Sequence, residues 1–275
     1  MKSIDDDIEI IPAHAWTPWF GIFGSMSGFD SVEECFKDQS KHIHAIETGL
    51  SSDPEMNWRL SALDHLLLVS NSDAHGLENL GREANVMQLS ERTYDEIISV
   101  LHKNDVQKFL YTIEFYPEEG KYHTDGHEVC KFSCTPEETK KNGGLCSKCK
   151  KQLTVGVLSR VQDLADRSNG VRSIPHKYIV PLKEIISAVI GVGKSSKKVD
   201  ELYSNLITKL GSEFHILLHA NLTDISFSSN AQIAEGVRRV RQGEVFVKPG
   251  YDGVFGVVSV LKPDEKLGEM QMKLM

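Results

Sequence analysis

The chain has 275 residues, 40% hydrophobic and 25% charged, the balance of a soluble globular protein with room for one large domain and a smaller companion. It lacks an apolar run of about 18 residues, which excludes a membrane-spanning helix, and MKSIDDDIEI is acidic where a secretory signal is basic and then apolar, so a cytoplasmic location is expected. The net charge of −8 argues against a general nucleic-acid binder, but Lys121 to Asp200 carry fifteen Lys and Arg against eight Asp and Glu, a local +7 that suits a single phosphate-contacting region.

In chain order, IEIIPAH (8–14), HIHAIETG (42–49) and HLLLVSNSDAH (65–75) each read as a buried strand that ends in polar residues. DSVEECFKDQSK (30–41) and NWRLSALDH (57–65) predict the intervening helices, with Asp30 or Ser31 as N-cap, and TYDEIISVLHK (93–103) predicts another. Strands alternating with helices imply βαβ units and a parallel sheet or barrel, an α/β class. KFLYTIEFY (108–116) is one more strand, after which the composition shifts to Gly, Lys, His and Cys as far as residue 155. A short helix begins at 157, two helices flank IGVGKSSKKV within 181–212, and the tail holds a helix (NAQIAEGVRRVRQG) and a hairpin (EVFVKPGYDGVFGVVSV). This gives an expected division at 1–116, 117–155 and 156–275, the last an α-rich C-terminal region.

His14, Glu47, Asp73 and His75 each follow an apolar strand-like run. In an α/β barrel the C-terminal strand ends converge on one face, so these four are candidate metal ligands, with Asp73 and His75 closest to the chemistry. Imidazole and carboxylate together suit Zn²⁺, Mn²⁺ or Fe²⁺. Metal-bound water and clamped phosphate oxygens would give phosphoester hydrolysis. Taken singly, each residue also reads as an ordinary surface or hydrogen-bonding group. Trp16 and Trp19 could line a cleft or pack in the core, Arg82 could clamp a phosphate or lie on the surface, and Cys35 reads as a small buried apolar residue.

Four of the five cysteines crowd into 130–149, spaced His127-x2-Cys130-x3-Cys134-x11-Cys146-x2-Cys149. Cys146-Ser-Lys-Cys149 is a zinc knuckle, the tight turn that lets two thiolates grip one ion. Its partner pair is either Cys130 with Cys134 or His127 with Cys130. One structural zinc is expected, because four protein ligands leave no position for water.

IISAVIGVGKSSKKV (185–199) has the pattern of a helix-hairpin-helix. Such a turn would aim backbone N–H groups at a DNA phosphate around Gly191, Gly193 and Ser195, with Lys194, Lys197 and Lys198 adding charge. A plain helix–loop–helix turn fits the same letters. The Walker A pattern is not met, which removes an ATPase or helicase reading.

IPAHAWTPWFGIFGSMSGFDS, AIETGLSSDPEMNWR, VSNSDAHGLENLGREAN, TIEFYPEEGKYHTDGH and QLTVGVLSRVQDLADR together resemble the endonuclease Q family. The resemblance implies a PHP-type (polymerase and histidinol phosphatase) catalytic barrel, a zinc module and a C-terminal region. It also implies a metal-dependent endonuclease that nicks DNA 5′ of deaminated bases (uracil, hypoxanthine, xanthine) or abasic sites during repair, with Zn, Mn or Mg at the catalytic centre. The family's later metal ligands fall on His14, Glu47, Asp73 and His75, and its zinc ligands on His127, Cys130, Cys146 and Cys149, leaving Cys134 as the alternative fourth. The family's opening D-L-H-x-H-S segment is not in this sequence. The expectation is therefore a partial PHP-type barrel whose site a separate N-terminal half-chain would complete, with damaged DNA as partner. Two competing readings are a PHP-type phosphatase acting on a small phosphomonoester and a non-catalytic zinc-containing DNA-binding remnant.

Overall fold

A computed structural model describes residues 1–26, 28–170, 174–265 and 267. Contacts gather the chain into two units, Met1–Lys177 with Pro249–Gly256, and Tyr178–Lys248 with the chain from Val257 onward.

The first unit is built around two short parallel strands, β1 (Ala45–Glu47) and β2 (Leu67–Val69), in register Ala45 to Leu67 and Glu47 to Val69. Side chains alternate across a strand, so β1 sends Ile46 to one side and Ala45 to the other. Ile46 joins Trp16, Phe23, Val157 and Val161, whereas Ala45 joins Leu67, Val69, Val100, Leu101 and Phe109. A parallel pair buried on both faces explains why these strands read as unbroken apolar runs. Burying each Ile or Leu stabilises by about 1.5–3 kcal/mol.

Residues 8–14 are not a regular strand. They run beside β1 and bond to it at only one end, where Glu47 N–H donates to Pro12 O (3.0 Å) and Ala15 N–H to Glu47 O (3.2 Å). The helix expected over 30–41 is one turn of α1 (Val32–Phe36), capped by the Ser31 hydroxyl, followed by a 3₁₀ stretch to His42. The helix expected over 57–65 is instead α2 (Pro54–Asn57), capped by Asp53, and a separate 3₁₀ turn at Ser61–Leu63. Asp53 followed by Pro54 is the start signal that the apolar spacing of 57–65 obscured.

β3 (Ala84–Met87), which the sequence reading missed, pairs antiparallel with β4 (Phe109–Glu114). Between them lies α3 (Tyr94–Lys103), capped by Thr93 and ended by a left-handed Asn104. Among the described residues the sheets have two or three strands and no barrel closes. β5 (Asp125–His127) and β6 (Phe132–Cys134) form a hairpin, followed by α4 (Pro136–Lys141) and α5 (Val157–Leu164). β7 (His176–Tyr178) joins β3 and β4, and neither it nor α4 was anticipated.

The second unit holds α6 (Leu182–Ile190), α7 (Lys197–Leu210), α8 (Glu213–Leu218), α9 (Leu222–Ser228), α10 (Ala231–Arg241) and the expected hairpin of β8 (Phe246–Lys248) with β9 (Val257–Ser259). Its core includes Ile185, Ile186, Val199, Leu206, Ile216, Ile225, Ile233 and Val237, all fully buried. Arg241 closes α8 by donating to the carbonyls of Ile216, Leu217 and Ala220 at 2.8 Å each, satisfying acceptors that a helix end leaves orphaned. No helix among the described residues is long and apolar enough to cross a membrane.

Candidate functional site

At the C-terminal end of β1, the Glu47 carboxylate takes the His14 backbone N–H on Oε2 (2.5 Å) and the Asn71 amide on Oε1 (2.9 Å). His14 lies at φ 32 and Asp73 at φ 44, left-handed conformations that cost a non-glycine residue of order 1 kcal/mol. The His14 ring is steered by Thr17, whose Oγ1 lies 3.0 Å from Nδ1. His75 and Asp73 are both exposed, and the His75 ring donates from Nδ1 to the Asp73 carbonyl (2.8 Å). Arg82 donates to the carbonyls of Ser72 (2.8 Å) and Asp73 (3.4 Å), fixing the loop rather than standing free for a phosphate.

His14 and Glu47 thus meet through the backbone, and Asp73 and His75 meet each other. The ligand atoms of the four are not all within 4.8 Å of one another. Among the described residues two groups draw their ligand atoms within 4.8 Å, one being His127, Cys130, Cys146 and Cys149, the other Glu9, His44 and His102.

Below Glu47 lie two further carboxylates that the sequence reading missed, Glu83 (3% exposed) and Glu114 (0%). Glu114 accepts from the Thr48 hydroxyl (3.1 Å) on one oxygen, while its other oxygen and Glu83 Oε2 have no partner. Burial pushes the Glu114 carboxyl up to about 7, with Asp53 adding to it, and Glu83 is driven well above the carboxylate range by burial and then by the Glu114 and Glu47 charges. Glu114 was signalled as a lone acid inside an apolar string, TIEFY, whereas Glu83 in GREAN carried no such signal. Trp16 is core, stacked on Phe23 and donating to Asn57 Oδ1 (2.8 Å), whereas Trp19 is partly exposed and edge-on to Tyr122. Cys35 is half-buried, and burial raises its thiol.

The four-residue group settles which side chains are near one another in the cysteine cluster. Two matching turns supply the donors. His127 and Cys130 are followed by left-handed Lys131, and Cys146 and Cys149 by left-handed Lys150. Lys148 Nζ ties the turns by donating to Cys130 O (2.8 Å), and His127 Nδ1 lies 3.6 Å from Cys149 Sγ. Burial raises the Cys146 thiol, but the backbone N–H groups of Cys149 and Lys148 outweigh it and the net shift is downward. Three thiols and an imidazole drawn together suit one structural zinc-like ion.

Cys134 is not one of this group. It is buried beside it, in a cluster with Cys146 and Leu153, its Sγ 3.2 Å from the Thr139 hydroxyl. That hydroxyl in turn donates to Asp125, a buried carboxylate that also accepts from Ser159 Oγ and Gly156 N, each at 2.6 Å. Asp125 thereby fastens α4 and α5 to the hairpin.

In the second unit, Gly191 ends α6 at φ 68, and neither it nor Gly193 has any atom within 4 Å of where a Cβ would stand. The turn is exposed through Ser195, and α7 is capped by Ser196 rather than Ser195. Lys194 pairs with Glu184 (3.1 Å) and Lys197 with Glu201 (3.7 Å), while Lys198 is exposed on the first turn of α7.

Residues 181–244 match the family described as the MJ0043 C-terminal domain. The chain is 31% identical over 277 residues to an uncharacterised protein, MJ0043, of Methanocaldococcus jannaschii, and 31% identical over 251 residues to the uncharacterised YqxK of Bacillus subtilis. These alignments cover 96% and 90% of the chain but only 34% and 60% of the relatives' own lengths. In structure it is similar to the lesion-specific endonuclease PfuEndoQ from Pyrococcus furiosus, with a TM-score of 0.83 and 30% identity over 94% of this chain and 64% of that one. It is also similar to an endonuclease Q solved with a 27-mer duplex carrying an abasic lesion at the active site, with a TM-score of 0.82 and 29% identity over 96% of this chain and 67% of that one. The chain is a structural relative of the endonuclease Q family, which it matches in fold over nearly its whole length.

Proposed function

We propose that this chain carries part of the catalytic site and the DNA-binding region of a metal-dependent DNA repair endonuclease, with a partial PHP-type barrel as its catalytic frame. The similarity in fold to an endonuclease that holds a lesion-bearing duplex is the observation that carries this reading. The proposed reaction is a nick 5′ of a deaminated base (uracil, hypoxanthine or xanthine) or an abasic site. His14, Glu47, Asp73 and His75 are the proposed ligands for Zn, Mn or Mg, and such ions would supply an activated water and stabilise phosphate charge. Glu47, itself held by Asn71, fixes the His14 backbone, and the loop held by Arg82 presents Asp73 and His75 to solvent.

A separate N-terminal half-chain is proposed as the partner that would supply further ligands. His127, Cys130, Cys146 and Cys149 are proposed to hold one structural zinc, and the turn with Gly191, Gly193, Lys194, Ser195, Lys197 and Lys198 to contact phosphates. The proposed roles divide along the chain at 1–116, 117–155 and 156–275.

The test is a nicking assay on a 5′-labelled duplex bearing one deoxyuridine, deoxyinosine or abasic site, with Mg²⁺ or Mn²⁺. It compares the chain, its Asp73→Ala variant, and the chain mixed with an endonuclease Q N-terminal half. Cleavage 5′ of the lesion that the variant lacks supports the proposal. No cleavage in any mixture, with DNA binding retained, overturns it in favour of a non-catalytic DNA-binding role.

A further inference from the structure

We infer that Glu9, His44 and His102 form a second site for a divalent cation of zinc-like character, separate from both the cysteine cluster and the strand-end carboxylates. The Glu9 carboxylate is only 6% exposed, and each of its oxygens faces one imidazole: Oε1 lies 3.1 Å from His44 Nδ1 and Oε2 2.7 Å from His102 Nε2. The two rings stack with centroids 3.8 Å apart and planes 33° off parallel, so their inward nitrogens converge on the same carboxylate. All three donor atoms lie within 4.8 Å of one another.

Donors at about 2.0–2.1 Å from a tetrahedral ion stand roughly 3.3 Å apart, so these atoms are within small side-chain movements of a His₂Glu set. Three protein donors leave a fourth position for water. Access is provided by the rings themselves, with His44 26% and His102 38% exposed. Imidazole with one carboxylate favours zinc, cobalt or nickel over magnesium or calcium, which take mostly oxygen.

The three donors come from three segments. Glu9 lies on the stretch that leads to His14, His44 immediately precedes β1, and His102 is in the last turn of α3. Tyr94, at the other end of α3, already holds the first of these by donating to Asp7 O and accepting from Glu9 N–H. An ion here would pin the 8–14 stretch to β1 and α3 at the end remote from Glu47. The clamp would thus brace His14 from behind without touching a substrate.

The test uses the full chain, stripped of metal by EDTA and titrated with Co²⁺. One bound equivalent should show thiolate-to-cobalt charge transfer, from the cysteine cluster, and another should lack it. Glu9→Gln/His102→Gln should lose that thiolate-free equivalent and the rise in Tm that accompanies it. Cys146→Ser/Cys149→Ser should keep it, and so should Glu47→Gln/Asp73→Ala, which separates this site from the proposed catalytic one. The single His102→Gln, at a half-exposed helix end, serves if the double variant does not fold. The inference is overturned if a folded Glu9 or His102 variant binds the same number of equivalents at the same affinity, or if the thiolate-free binding needs millimolar cation.

Discussion

Gly49 passes so close to His14 that a Cβ at position 49 would stand 2.8 Å from the His14 Cα, and its own backbone is left-handed at φ 66. Both conditions exclude a side chain. Gly49→Ala should therefore destabilise the chain by about 2 kcal/mol, more than a compatible Gly→Ala change alters, because strain and collision act together. The urea midpoint measures this, and a change below about 0.5 kcal/mol would contradict it.

The buried pair Glu83 and Glu114 predicts a pH dependence of stability. A carboxyl whose folded pKa is raised holds its proton more tightly in the native state. Its effect is therefore favourable below the unfolded value of 4.5, and stability falls as pH rises through about 7 for Glu114. In metal-free buffer the denaturant midpoint should decline between about pH 5 and pH 8, and Glu114→Gln should flatten that slope. An unchanged slope in the variant would show that other groups set it.

Within the cysteine cluster the roles divide. Cys146→Ser or Cys149→Ser should lose one equivalent of zinc, measured by metal analysis after dialysis, and should lessen the loss of Tm that EDTA causes in the parent chain. Cys134→Ser should keep its zinc, since its sulfur contacts Thr139 and Leu153 belongs to the same buried cluster. Loss of zinc in Cys134→Ser with its fold intact would reverse the assignment.

Asp125→Ala strands the Ser159 and Thr139 hydroxyls and the Gly156 N–H at once. Hydrogen bonds to a charged group contribute about 1.5–3 kcal/mol each and do not simply add, so a loss of about 3–5 kcal/mol is expected by chemical denaturation. Asp125→Asn should recover part of it, because its carbonyl oxygen still accepts.

If the glycine turn meets DNA, Lys197→Ala/Lys198→Ala should weaken binding uniformly across sequences and lower the log–log salt slope by about 0.9 per lost phosphate contact. Lys194→Ala should change it less, since its ammonium is held closely by Glu184 (3.1 Å), whereas Lys197 is far more exposed and only loosely paired with Glu201 (3.7 Å). A fluorescence-anisotropy salt series reads both.

The sequence showed the longer helices with regular apolar spacing, whereas short α4 went unseen despite its Thr135 cap. Thr93 announced α3, and the Gly191 turn announced both α6 and α7, because these signals are local. The stretch at 8–14 looked like a strand from its apolar letters but bonds to β1 only at its far end. Apolar runs report burial, not hydrogen bonding. The candidate ligands were legible as residue types at strand ends, but the hydrogen bonds that hold them, such as His14 N–H to Glu47, depend on partners distant in sequence. Glu9, His44 and His102 were invisible for the same reason, being separated by 35 and 58 residues. Spacing did find the cysteine cluster, although it left His127 and Cys134 tied, and only the three-dimensional grouping draws His127 in with the other three.

The position of the cysteine cluster in the chain has a consequence for the order of folding. All four of its donors fall within residues 127–149, so the two turns can close on each other as soon as that short stretch exists, at little cost in loop entropy. Asp252, by contrast, fastens the module's edges by accepting from Glu128 N–H and the Thr154 hydroxyl, and it lies roughly a hundred residues downstream. During synthesis the module can thus fold as a local nucleus well before the residue that later locks it in place has left the ribosome.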